Sequence, residues 1–165
     1  MNRPPSNPGF SPAHRLVRRL SPDSGANLVE FALSATILLV LTIGTMVMSI
    51  ALYSYHYISE AAREGVRYAS VRGSNAVTNG GLTVATSSTV QTYVRGIGFP
   101  GINASNLTVT TSWSANRTTW STTNTANAPG DYVKVNVSYQ LPVAIPFVSS
   151  RTLTMNSTAL TVISD

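Results

Sequence analysis

Residues 31–53 read FALSATILLVLTIGTMVMSIALY, a run of 23 residues without a charged side chain. As an α-helix this run is about 35 Å long at 1.5 Å per residue, which exceeds the ~30 Å hydrocarbon core of a bilayer. A buried helix of a soluble protein rarely stays apolar on every face for this length. The run therefore predicts a transmembrane helix and makes the lipid bilayer an expected partner.

Charged residues on either side of the apolar run predict its orientation. The first 20 residues hold four arginines and no acid. The opposite flank is close to balanced, with Glu60, Arg63, Glu64 and Arg67. By the positive-inside rule, the N-terminus stays in the cytoplasm and the rest of the chain crosses the membrane.

The composition argues against several classes of function. The net charge is +5, but only 10% of the 165 residues are charged and the bases beyond the leader are scattered, so we expect no nucleic-acid partner. The chain has no cysteine, and its two histidines, His14 and His56, lie far apart, which leaves no metal cluster or histidine-based triad. The GxGxxG pattern at residues 96–101 contains a proline and lacks a preceding strand, so we interpret it as a turn.

One carboxylate lies directly against the apolar run. Glu30 precedes Phe31 and is the fifth residue after Gly25. A charge at the bilayer centre costs ~2.5–3.5 kcal/mol or more, although a boundary residue can reach back to water. Cleavage after Gly25 would expose the α-amino group of Ala26, mostly protonated near neutral pH and one helical turn from Glu30. The carboxylate can then neutralise its own N-terminus or that of a neighbouring subunit.

This order of features resembles the processing signature of type IV prepilins: a basic leader, Gly25, Glu30 and a long apolar helix. An aromatic residue after the acid, here Phe31, is similar to the Flp-type branch. The runs Leu28-Val29-Glu30-Phe31-Ala32-Leu33 and Ala61-Ala62-Arg63-Glu64-Gly65-Val66-Arg67-Tyr68-Ala69 look like the TadE-like family, minor pseudopilins of the tight-adherence (Tad) pilus machinery. The resemblance covers residues 25 to about 73. Family members often carry a proline inside the apolar helix, and this segment has none.

The resemblance implies a protein of the bacterial inner membrane, with its C-terminal domain in the periplasm or outside the cell. A prepilin peptidase would cut between Gly25 and Ala26 and perform the only chemistry, so we expect no enzymatic activity and no cofactor. Glu30 and Phe31 would act in assembly with other pilin and pseudopilin subunits and the inner-membrane pilus assembly platform. The implied organisation is a leader at 1–25, a transmembrane helix at 26–53, a helix extension at 54–73 and a small α+β domain at 74–165.

The helix is expected to continue beyond the membrane to Arg72, because Gly73 is a natural stop. Small residues recur at four-residue steps along this extension, at Ala61, Gly65 and Ala69. Such a stripe allows close approach of another backbone, either of the domain's own sheet or of a neighbouring subunit. Three tyrosines near the end of the apolar run are expected at the outer membrane interface, namely Tyr53, Tyr55 and Tyr57.

Periodicity beyond Gly73 predicts an α+β arrangement of the pilin type, with a long N-terminal helix. Apolar residues at a 3.6-residue period predict a short helix at 87–97, and alternation predicts strands at 107–113, 133–139 and 153–155. The stretch from Leu141-Pro142 to Pro146 is expected to break the chain before the last strand. We expect an antiparallel sheet of three or four strands packed against the exported helix.

Two other functions are compatible with the same sequence. The first is a signal-anchored binding domain, periplasmic or on the cell surface, that never enters a filament and keeps Met1. The second is a secreted protein cut after Ala51, since small residues occupy the appropriate positions. The mature N-terminus distinguishes all three: Ala26 for the pseudopilin, Met1 for the anchored domain and Leu52 for the secreted protein.

Overall fold

The computed structural model describes residues 22–144 and 149–164. Most of the basic leader lies outside the described residues. The elements are, in chain order, α1 (Pro22–Ser70), α2 (Ala76–Gly80), α3 (Ser87–Gly96), a 3₁₀ turn (Ala104–Asn106), β1 (Leu107–Ser114), β2 (Tyr132–Val143) and β3 (Arg151–Val162). The chain divides into two compact units, one ending at Leu41 and one beginning at Thr42. The predicted α+β class, a long apolar helix followed by a small antiparallel sheet, is confirmed.

Several hydroxyl side chains of helix α1 donate to carbonyls of the preceding turn. The Thr36 hydroxyl donates to the Ala32 carbonyl at 2.7 Å, and the Ser49 hydroxyl donates to the Thr45 carbonyl at 2.8 Å. Such bonds to the preceding turn allow hydroxyl residues to lie in an apolar helix at little cost. The helix ends at Ser70, two residues before the predicted end, and a turn follows in which the Arg72 amide donates to the Ala69 carbonyl.

The sheet has the strand order β1-β2-β3, with both pairs antiparallel. Alternate residues of β2 are buried in the core that the sheet forms with α1 and α3, namely Val133, Val135, Val137, Tyr139 and Leu141. This alternation is the period of two that predicted the strand. The opposite face is mostly polar, as is usual for an antiparallel sheet with one solvated side.

The predicted break before the last strand begins later than Leu141-Pro142, because β2 continues to Val143 and Pro142 pairs with Thr152 of β3. β1 begins at Leu107, opposite Tyr139, so β2 has a partner on one side only beyond that point. A proline lacks the amide hydrogen that a central strand needs, but it is tolerated where one side of the strand is unpaired. The central strand therefore becomes an edge strand before it reaches the proline.

The core forms where one face of α1 packs on the sheet and on α3. Ile58, Ala61, Ala62 and Ala69 of α1 are at most 1% exposed. At Gly65 the contact is closest, because a Cβ atom added there would lie 2.8 Å from Val94 Cγ2 and 3.2 Å from Val135 Cγ1. A side chain at position 65 would therefore push against two residues that are themselves fully buried.

Tyr57 contradicts the predicted belt of interface tyrosines. Its side chain is 4% exposed and its ring packs against Phe99 with centroids 4.6 Å apart, whereas Tyr53 and Tyr55 are about half exposed. Position 57 falls on the face of α1 that the domain covers, one turn before Ala61. The prediction is therefore wrong for Tyr57, which belongs to the core of the domain.

A capping box starts α3 at the predicted place. The Thr86 hydroxyl accepts from the Thr89 amide at 3.3 Å, and the Thr89 hydroxyl accepts from the Thr86 amide at 2.9 Å. The helix ends at Gly96, and Gly98 and Gly101 then adopt positive φ angles of 59° and 79°. The GxGxxG pattern is thus a turn, as predicted, whose glycines supply backbone conformations that other residues rarely adopt.

We expect Gly65→Ala to lower the melting temperature of the full-length protein in detergent. The added methyl group overpacks the contact with Val94 and Val135, an effect of about 1–3 kcal/mol in a well-packed core. The matched control is Gly96→Ala, where an added Cβ meets no atom within 4 Å. That variant should be neutral or slightly stabilising, since alanine favours helix over glycine. Equal melting of the two variants would contradict the packing described here.

We also expect the stability of the domain to fall above about pH 10 through Tyr57. Burial raises the pKa of its phenol above the ordinary 10.0, and the neighbouring Tyr139 adds to the rise. A raised pKa in the folded state means that this stability is fully present below pH 10 and is lost as the pH rises through the folded pKa. Tyr57→Phe should flatten the fall in melting temperature, whereas Tyr55→Phe, at an exposed position, should leave it unchanged. Parallel curves for wild type and Tyr57→Phe would refute this assignment.

Candidate processing and assembly segment

The four residues predicted to act in processing and assembly all lie in the first unit, near the start of α1. Gly25, Ala26, Glu30 and Phe31 are exposed, and the Phe31 side chain is 74% exposed. The Gly25–Ala26 peptide bond lies three residues inside the helix that begins at Pro22. A Cβ added at Gly25 would meet no atom within 4 Å among the described residues. Among the residues that the structure describes, no atom obstructs Gly25 on this side of the helix.

Ala26 and Glu30 are one turn apart on α1, so their side chains share a face of the helix. Within the described ranges 22–144 and 149–164, no ion pair involves the Glu30 carboxylate. An amino group created at Ala26 would lie within one turn of this carboxylate. Glu30 would then also lie near the positive end of the helix dipole, where a carboxylate is favoured.

The helix that follows is long and apolar enough to cross a membrane, and it is the one such helix among the described residues. The most apolar part has a mean hydropathy of 2.3 and no buried residue. Large apolar side chains on all sides of this part are more than half exposed, among them Leu33, Leu38, Leu41 and Met46. An exposed apolar helix near the N-terminus is typical of a membrane anchor.

The small residues of the helix extension lie inside the domain. Ala61 and Ala69 are each 1% exposed, and Gly65 faces Val94 of α3 and Val135 of β2. The neighbours of this stripe in the structure thus belong to the same chain. On the outer face of the same helix, Glu60 pairs with Arg63 at 3.9 Å and Glu64 pairs with Arg67 at 3.7 Å. These exposed pairs contribute little to stability.

An aromatic cluster on the domain surface was not predicted. The rings of Tyr68 and Tyr93 stack with centroids 4.2 Å apart, and the Arg72 guanidinium lies 3.9 Å from the centroid of the Tyr68 ring. Tyr68 and Arg72 are four residues apart, a spacing that could have indicated their contact. Tyr93 comes from α3, so its part in the cluster depends on how the two helices pack.

The chemistry of a metal site is absent from the described part of the chain, where no three histidine, aspartate or glutamate side chains cluster. Three of the acids present there serve other local roles. Glu60 and Glu64 form the surface pairs, and the Asp131 carboxylate accepts a hydrogen bond from the Ala128 amide at 2.9 Å in a turn.

Comparison with known proteins agrees with the resemblance expected from the sequence. The model of the family described as TadE-like protein matches residues 25–67, which include the exposed Gly25–Phe31 segment, the apolar helix and most of its extension. No curated protein and no solved structure matches the chain. The TadE-like family consists of structural proteins associated with the Tad pilus. Over residues 25–67 the chain is similar to this family, which confirms the expected resemblance for this segment.

Proposed function

We propose that this protein is a minor pseudopilin that acts in assembly of a Tad/Flp-type adhesion pilus. The observation that carries the proposal is the exposed Glu30 carboxylate, one helical turn beyond Ala26 and directly before the apolar run of a TadE-like segment. A carboxylate in this place is stabilised by a cationic partner as the helix enters the bilayer. Cleavage after Gly25 creates that partner.

A prepilin peptidase of the inner membrane performs the cleavage. Glycine is among the poorest helix formers, costing about 1 kcal/mol relative to alanine, so the first turns of α1 can open at Gly25. The absence of a side chain also lets an active site approach the backbone closely. The positively charged leader stays on the cytoplasmic side, and the chain beyond Tyr53 lies in the periplasm or outside the cell.

The new amino group of Ala26 then directs assembly. Its pKa in an unstructured chain is about 7.7–8.0, so it is mostly protonated near neutral pH. At the edge of the bilayer, where the effective dielectric constant is low, its attraction to a carboxylate is stronger than in water. Glu30 neutralises its own terminus while the subunit waits in the membrane. In the filament it pairs with the terminus of an adjacent pilin or pseudopilin.

The exposed apolar surface of α1 provides the other half of the assembly interface. Lipid tails cover this surface before assembly, and apolar helices of other subunits replace them during assembly at the inner-membrane platform. Phe31 adds a large aromatic side chain, 74% exposed, beside the carboxylate. Association of helices in lipid depends on such side-chain packing and on paired polar groups.

A second candidate is a membrane-anchored binding domain that never enters a filament. It is favoured by a polar groove on the solvated face of the sheet, lined by Thr110, Ser112, Lys134, Asn136 and Thr158. Beside it, the Lys134 ammonium lies 4.1 Å from the centroid of the Trp120 ring. The two candidates differ in their mature N-terminus, which is Ala26 for a pseudopilin and Met1 for an anchored domain.

Replacing Gly25 with leucine should block maturation. In cells that contain the peptidase, intact-mass measurement should find the wild type beginning at Ala26 and Gly25→Leu beginning at Met1. The matched control is Gly44→Leu, the same substitution in the same helix away from the cleavage site, and it should still begin at Ala26. A wild type that retains Met1 in piliated cells would refute the pseudopilin assignment.

Replacing Glu30 with glutamine should spare membrane insertion and cleavage but impair pilus formation. Hydrogen bonds to charged groups contribute about 1.5–3 kcal/mol, so loss of this one should reduce assembly about tenfold or more. The control is Glu60→Gln, which removes an exposed carboxylate of the same helix. Counting surface pili by electron microscopy distinguishes the two. Normal piliation with Glu30→Gln would exclude the electrostatic role.

A further inference from the structure

An open apolar groove of about 260 Å³ lies between α1 and the end of β2. Its lining consists entirely of aliphatic and proline side chains, from Val47, Ile50, Leu141, Pro142, Val143 and Ala144. We call the last four residues the hairpin apex, because they end β2 ahead of its partner strand β3. The sequence stays uncharged from Leu141 to Val148. This groove is therefore apolar, whereas the groove on the solvated face of the sheet is polar.

The helical side of the groove belongs to the apolar run itself. Ile50 and Val47 precede Tyr53, the last residue of that run, by three and six residues. At 1.5 Å per residue these positions lie about 4.5 Å and 9 Å inside the end of the run. A segment that shares a groove with them lies at the depth of the outer part of the bilayer when α1 spans it.

The hairpin apex is held by the core of the domain on one side and exposed on the other. Leu141 is 8% exposed and Val143 packs on the core of the domain, so the apex is held by the sheet. Pro142 and Ala144 are exposed and have no polar side-chain atom to solvate. Removing the surface of such a fixed apolar projection from water lowers the free energy of the system.

The flanking groups favour the boundary between acyl chains and headgroups over the hydrocarbon interior. Beyond Tyr139 one edge of β2 is unpaired, and unpaired backbone groups are not tolerated deep in a bilayer. Pro142 removes one such donor. Arg151, exposed and paired in register with Val143, places a cation beside the apex. Arginine at this depth reaches lipid phosphates while its stem covers apolar surface.

We propose that the hairpin apex inserts into the acyl–headgroup boundary of the leaflet on the domain's side. Lipid acyl chains fill the groove, and Arg151 binds headgroup phosphates. The inference rests on the membrane anchoring in the proposed function, but it adds a second contact with the bilayer. Two contacts fix the tilt of the domain relative to the membrane surface, which one helix alone leaves free to vary.

Site-specific fluorescence can test this insertion, because the chain contains no cysteine of its own. The full-length protein with Ala144→Cys is labelled with the polarity-sensitive dye NBD and reconstituted into phosphatidylcholine–phosphatidylglycerol vesicles containing spin-labelled lipid. Leu41→Cys, at the middle of the apolar run, reports on the span. Ala115→Cys is the matched control, the same substitution at an exposed position just beyond β1, near the Tyr132 end of β2. It lies about 36 Å from the apex along the strand, at 3.3 Å per residue.

The expected result is loss of fluorescence at Ala144 and Leu41 but not at Ala115. A spin label near the headgroup should quench Ala144 more than a deep label does, and the order should be reversed at Leu41. Quenching at Leu41 alone would overturn the apex insertion and leave the membrane anchor intact. An Ala144 probe that is blue-shifted yet unquenched would place a protein partner in the groove and overturn the lipid assignment. Absence of quenching at Leu41 would refute the membrane anchor and, with it, this inference.

Discussion

The rest of this structure depends on one constraint, namely that contact between water and 23 consecutive uncharged, mostly apolar residues is unfavourable. A helix exposed to water on every apolar face is unfavourable, whereas the same helix in a bilayer satisfies all its backbone groups internally. Even the hydroxyl side chains of the run bond to the preceding turn, as at Thr36 and Ser49. If this helix spans a bilayer, the depth of each charged group near its ends follows from its distance along the helix.

The surroundings of the side chains of α1 differ along its length. Up to about Tyr53 its apolar surface is exposed, and from Ser54 onward one face is buried against the sheet and α3. The change is visible in residue size, because bulky Leu, Ile and Met give way to alanine and to Gly65 where backbones approach closely. Lipid adapts to large side chains, whereas a packed sheet requires that small ones be placed at defined positions.

The candidate site shows how much of a structure the spacing of residues along the sequence can predict. Gly25, Ala26 and Glu30 lie on one helix, so their mutual positions follow from helical geometry and were predictable. The same holds for α3, β1 and β2, whose periods of 3.6 and two were correctly read from the residues. The prediction for β3 was too short, because that strand extends over Arg151–Val162. The fate of Tyr57 was not predictable by this means. Whether a tyrosine near the membrane faces lipid or the domain depends on which face of the helix the sheet covers.

By itself, the sequence determined the long apolar helix and the α+β class, because hydrophobic length and periodicity are local properties. The tertiary structure alone decided what lies against each surface. It brought Val94 and Val135 onto Gly65, Tyr93 onto Tyr68, and the hairpin apex to the level of Val47 and Ile50. It also allowed Pro142 within a strand, because β1 starts opposite Tyr139 and leaves that edge free. Contacts between residues distant in sequence arise from the packing of whole elements, and no local pattern encodes them.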